Sequence, residues 1–128
     1  MFRLDKYIRK IDIQLDSGIY IFEYMSATGK TFLSKLLHQY RTIGEPVASY
    51  TYADFCIDTK LENILVPGRY KVVVIDRYDM YHSEEFEQLM YKCAKDTIIL
   101  VDCKDPRNRP LYDDIVTIEI EKEWIRVY

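Results

Sequence analysis

The sequence predicts an α/β fold, a three-layer sandwich around a mostly parallel central sheet with a C-terminal strand or hairpin. Two observations carry this. Val72–Ile75, within Lys71–Asp76, and Ile98–Val101, after Thr97, are runs of consecutive apolar residues without polar alternation, the pattern of strands covered on both faces. Segments with helical spacing stand between the runs, and strands that alternate with helices build parallel sheets. At 128 residues, the chain fits a single domain, 1–128.

The elements follow in order. Phe2, Leu4, Tyr7, Ile8 and Ile11 lie among Arg3, Lys6, Arg9 and Lys10, which predicts a short amphipathic helix or an irregular docking arm over residues 2 to 10. Ile11–Leu15 alternates as a half-buried strand, and Asp16-Ser17-Gly18 turns the chain into the first core strand, Ile19–Phe22. Phe32, Leu33, Leu36, Leu37 and Tyr40 mark an amphipathic helix over Lys30–Arg41, stopped near Gly44-Glu45-Pro46. Val47–Tyr52 reads as a strand, and Ile57, Leu61, Ile64 and Leu65 as a short helix ended by Pro67-Gly68. Ser83 is an N-cap for a helix whose stripe is Phe86, Leu89, Met90 and Cys93. Ile115–Ile120 and Glu123–Tyr128 close the chain as a strand or hairpin.

Composition narrows the classes of function. Hydrophobic residues make up 48% and charged residues 30%, enough to bury a full core. A net charge of −3 supplies no domain-wide field for a phosphate backbone, so nucleic acid is not indicated as a partner. Cys56, Cys93 and Cys103 are odd in number and form no CxxC pair, which predicts buried, reduced thiols. No apolar run approaches the roughly 20 residues that span a bilayer, and no signal-peptide pattern is visible, so a cytoplasmic location is expected. Twelve tyrosines put some of these side chains at the surface, where they suit contact with a protein partner or a second copy.

Chemistry concentrates where the strand Ile19–Phe22 passes through residues 23 to 29 into the helix that opens with Lys30 and Thr31. A helix start offers unpaired N–H groups and a positive dipole end to a phosphate. Ser26, Ala27, Thr28, Gly29, Lys30 and Thr31 are therefore the candidate nucleotide-binding residues. The lysine adds a point charge for the β- and γ-phosphates, and the Thr31 hydroxyl can ligate Mg²⁺. Asp76 ends a separate core strand, where open α/β sheets place ligand groups, and joins Thr31 as a candidate metal ligand. A strand-end cap is its structural alternative.

Tyr24-Met25-Ser26-Ala27-Thr28-Gly29-Lys30-Thr31 resembles a degenerate Walker A motif, and Val72-Val73-Val74-Ile75-Asp76 resembles a Walker B. The family they resemble is the P-loop NTPases, in layout the RecA/AAA-like additional-strand division. This resemblance implies a strand order of 5-1-4-3-2, and ATP or another nucleoside triphosphate with Mg²⁺ as cofactors. Tyr24 stands where the motif has its first glycine, and Ala27 where AAA proteins often have another. Arg77 occupies the place of the glutamate that activates water in that division. Arg77 and Asp79 are the candidate catalytic residues, with Asp54 a further substitute, although each carboxylate is more often a loop or helix cap. Arg107 and Arg109 fit an arginine finger or an ordinary surface loop, and Asp102 a phosphate-orienting group or a cap. The expected function is triphosphate binding with slow or partner-dependent hydrolysis. A non-hydrolysing interaction module and a small kinase are the alternatives.

Overall fold

Val72, Val73, Val74 and Ile75 are all buried because their strand runs inside a parallel sheet with packed layers on both sides. The computed structural model describes residues 1–22, 29–57, 59–80, 83–103 and 114–128. In chain order its elements are β1 (Phe2–Leu4), β2 (Lys10–Ile13), β3 (Gly18–Phe22), α1 (Gly29–Thr42), β4 (Val47–Tyr50), α2 (Tyr52–Cys56), β5 (Val72–Ile75), α3 (Glu84–Cys93), β6 (Ile98–Val101), β7 (Asp114–Val116), β8 (Ile118–Glu121) and β9 (Trp124–Val127). Five strands form the central sheet in the order β4-β5-β6-β3-β7, with every neighbouring pair parallel.

Alternation along the strands divides the core in two. Val72, Val74, Ile98 and Leu100 face Leu33, Leu36, Leu37 and Tyr40 of α1. Val73, Ile75, Ile99 and Val101 face Met90 and Cys93 of α3 together with Leu61, Ile64 and Leu65. Burying a side chain of this size contributes about 1.5–3 kcal/mol, and the two clusters fix the height of each strand.

A second sheet of four strands, ordered β1-β2-β9-β8, shares the α1 side through Leu4, Ile11, Ile13, Ile125 and Val127. Its outer face is polar. Arg3, Asp12, Arg126 and Glu119 stand side by side across the four strands with alternating charge. Trp124 on that face lies under Arg3 at 4.6 Å and Arg126 at 5.4 Å. β7 leads through Thr117 straight into β8, so one run of chain ties the two sheets together.

Two expectations of secondary structure change, and the C-terminal hairpin is present. Residues 2 to 10 hold the short strand β1 and a turn rather than a helix, because β1 pairs antiparallel with β2 and Leu4 faces Ile11 across it. So short a segment has too few internal bonds to offset helix nucleation. In place of the helix foreseen around Ile57–Leu65, a separate helix, α2, lies before that segment: Thr51 caps it through a capping box with Asp54, and β4 ends at Tyr50. Leu61, Ile64 and Leu65 are then buried around a 3-10 turn at Leu61–Asn63. Lastly, the C-terminal hairpin β8–β9 belongs to the second sheet, where β9 pairs in parallel with β2. Of the thiols, none is in a disulfide; Cys93 and Cys103 are buried, whereas Cys56 is exposed at the end of α2. None of the helices described is long and apolar enough to cross a membrane.

β8 approaches α1 at its first residue. A Cβ built on Gly29 would lie 2.6 Å from Ile118 Cγ2, inside van der Waals contact. Gly29→Ala is therefore expected to cost about 1–3 kcal/mol in urea unfolding of the wild type, and close to nothing in an Ile118→Ala background. Equal losses in the two backgrounds would show that the contact does not constrain position 29.

Candidate functional site

The carboxyl ends of β3, β5 and β6 lie level, and the chemistry gathers there. Ile21 of β3 and Ile75 of β5 both register with Val101 of β6, which lies between them. The next residue of β6, Asp102, consequently stands between whatever follows β3 and whatever follows β5. On one side this is Lys30, in the first turn of α1; on the other it is Asp76.

Lys30 turns inward because it shares a helix face with Ser34 and Leu37, both buried. Its ammonium donates to Asp102 Oδ1 at 2.8 Å, with the two side chains only 10% and 8% exposed. An ion pair this dry is costly to assemble and more costly to break on one side, since the remaining charge has no water to turn to. The Asp102 backbone is fixed as well. Its N–H donates to the Ile75 carbonyl at 2.8 Å, and its own carbonyl accepts from Tyr78 N–H at 2.8 Å.

Asp76 completes the cluster. Burial, a hydrogen bond with the Asp102 carboxyl and the charge of that carboxyl push its pKa up to about 6, against the opposing pull of Arg77 and Lys30. Arg77 adopts a left-handed backbone with φ 52°, a conformation that costs a non-glycine residue about 1 kcal/mol or more. Its Nε has no hydrogen-bond partner among the described residues and faces Asp79 Oδ1 at 3.6 Å. The Asp79 side chain is only 8% exposed, so this second carboxylate lies beside a guanidinium rather than open to water.

The remaining candidates are dispersed. Thr31 is exposed at the start of α1, and Gly29 is buried against Ile118. Asp54 serves as a helix cap: one of its oxygens, Oδ2, accepts from Thr51 N–H at 2.8 Å and from the Thr51 hydroxyl at 3.1 Å. Tyr24, Ser26, Ala27, Thr28, Arg107 and Arg109 lie outside the described residues. The structure thus brings Lys30, Asp76 and Asp102 together, with Arg77 and Asp79 next to them.

From the sequence alone, Asp102 reads as a strand-end cap or a phosphate-orienting group. Its pairing with Lys30 has no local signal, because the two are 72 residues apart. The one available clue was that both 101 and 75 end apolar runs followed by aspartate.

A cleft of about 360 Å³ between α1 and the end of β4 is lined by polar residues including Ser34, His38, Ser49 and Asp54. The buried Ser34 hydroxyl has no hydrogen-bond partner among the described residues. Among the described residues, no group of three or more His, Cys, Asp and Glu side chains could hold a metal ion on its own. No protein-family model, curated protein or solved structure matches the chain.

Two outcomes follow from this geometry. Lys30→Ala leaves Asp102 buried without its cation and is expected to destabilise the fold by about 3 kcal/mol, whereas Lys30→Met with Asp102→Leu is close to neutral in denaturant midpoint. A double variant as unstable as the single one would place the loss elsewhere than in the unpaired charge. For Asp76, the native state keeps a proton that the unfolded chain releases between about pH 4 and pH 6, so this carboxyl favours folding below that window and opposes it above. Asp76→Asn is expected to be more stable than the wild type at about pH 8, by about 1 kcal/mol after discounting for partial exposure, and to lose that advantage by about pH 4. Thermal midpoints of the two proteins across this range are the check, and parallel curves would contradict the shift.

Proposed function

We propose that the chain is a P-loop protein that binds a nucleoside triphosphate, ATP foremost, with Mg²⁺, and hydrolyses it slowly or only with a group supplied by a partner. The observation that carries this reading is the Lys30 ammonium at the start of a helix, beside two carboxylates on adjacent strand ends. Strand order supports it too. Numbered along the chain, the five parallel strands read 5-1-4-3-2 from the β7 edge, the order that the resemblance implies.

Lys30 and Asp76, which the fold brings together, suit the implied group in charge. Lys30 would meet the β- and γ-phosphates, and the N–H groups opening α1 would add their dipole. Thr31, exposed one residue further on, and Asp76 would hold Mg²⁺, which supplies charge neutralisation to the phosphate oxygens. Asp76 has to be ionised for that task, and a divalent cation favours the ionised form. Asp79 and Arg77 face each other, which leaves no evident base among the described residues and favours slow turnover or a partner's group.

A protein-interaction module is the second reading, and two observations favour it. α2 buries none of its residues and exposes Tyr52, Phe55 and, just beyond, Ile57. The contact with Ile118 also gives Gly29 a packing role that involves no phosphate.

A thermal-shift experiment separates the readings. ATP with Mg²⁺ at a hundredfold excess over Kd is expected to stabilise the wild type by about 2.7 kcal/mol, raising Tm by several degrees. Lys30→Gln, which can still donate to Asp102, should show little or none of that shift. No shift of the wild type with any nucleoside triphosphate would favour the interaction module.

A further inference from the structure

We infer that Asp102 sets the nucleotide affinity of this site by holding Lys30 in an ion pair that phosphate has to displace. This rests on the nucleotide reading above and adds a residue to it.

The two halves of the pair differ in freedom. The Asp102 backbone is fixed by hydrogen bonds to Ile75 and from Tyr78, at 2.8 Å each, so its carboxylate can move only through a short side chain of two torsions. Lys30 carries its charge on a flexible four-carbon stem and can swing. The ammonium is turned into the protein, bonded to Asp102 at 2.8 Å and only 10% exposed. A phosphate at the mouth of α1 meets a lysine already committed to another anion.

Opening the pair has its own cost. Once Lys30 leaves, Asp102 remains buried next to Asp76, a second carboxyl within hydrogen-bond reach. Two carboxylates left together without their cation are unfavourable, so the closed pair dominates and only a fraction of molecules present the lysine outward. Apparent affinity falls in proportion to that fraction. Asp102 is in this sense a positioning residue, acting on the ligand through Lys30. A purely structural salt bridge would behave otherwise, since its removal would leave affinity unchanged or reduce it.

The test is calorimetric titration of wild type, Asp102→Asn and Asp102→Glu with ATP and Mg²⁺, at about 0.1 M and about 0.5 M salt. Asp102→Ser replaces the asparagine variant if near-ultraviolet dichroism shows that the latter does not fold. The neutral variant is expected to bind about tenfold more tightly than wild type at both salt concentrations. Asp102→Glu keeps a carboxylate for Lys30 and should stay near wild type. A gain confined to low salt would mark general relief of negative charge rather than release of the lysine, and would overturn the inference. So would equal or weaker binding by the folded neutral variant while the wild type binds, an outcome that leaves the nucleotide reading intact. If neither protein binds ATP, the nucleotide reading fails and Asp102 has no such role.

Discussion

The ion pair between Lys30 and Asp102 is the constraint on which the rest of the structure depends. Two charges nine-tenths removed from water are tolerable only while they face each other, so the start of α1 and the end of β6 have to stay in register. β6 itself lies between β3 and β5, which brings Asp76 to the same place. The sheet order is therefore what assembles the cluster. A strand exchanged within the sheet would leave a charge buried alone.

Packing reinforces that arrangement from both faces. α1 is held against the central sheet by Leu33 and Leu37 and against the second sheet by Tyr40, whose ring stacks on Tyr7 at 4.8 Å and whose hydroxyl donates to the Arg9 carbonyl. Ile118 closes on Gly29 from β8. The first turn of α1, where an anion would bind, is thus built into a rigid corner. Strain collects next to it, in the left-handed backbone of Arg77 directly after Asp76. An energetically expensive corner with buried charges and a strained residue is better explained by use than by stability, since an apolar replacement of such a pair is often no less stable.

Much of the central sheet was legible because its signal is local. Val72–Ile75 and Ile98–Val101 need burial on both faces, and that requirement is written as uninterrupted apolar runs. The α1 stripe and the Ser83 cap are equally local; the Ser83 hydroxyl accepts from Phe86 N–H at 3.2 Å. What escaped depends on distant partners. β1 and β2 become strands of a second sheet only because β9, over a hundred residues away, lies beside β2. In the site, Lys30 and Asp76 were marked by their motifs, but the residue that joins them was not. Asp102 closes a strand as many aspartates do, and its consequence appears only when β6 is placed between β3 and β5.

The central claim is that Lys30 and the carboxylates beside it form a site for a nucleoside triphosphate. Titrating isotope-labelled protein with ATP and Mg²⁺ while following backbone amide and lysine ammonium resonances tests it most directly. The largest shifts are expected at Gly29, Lys30 and Thr31, with Asp76 and Asp102 following and the Lys30 ammonium changing partner. Shifts confined to α2 and its exposed aromatic residues, or none at millimolar nucleotide, would contradict the account.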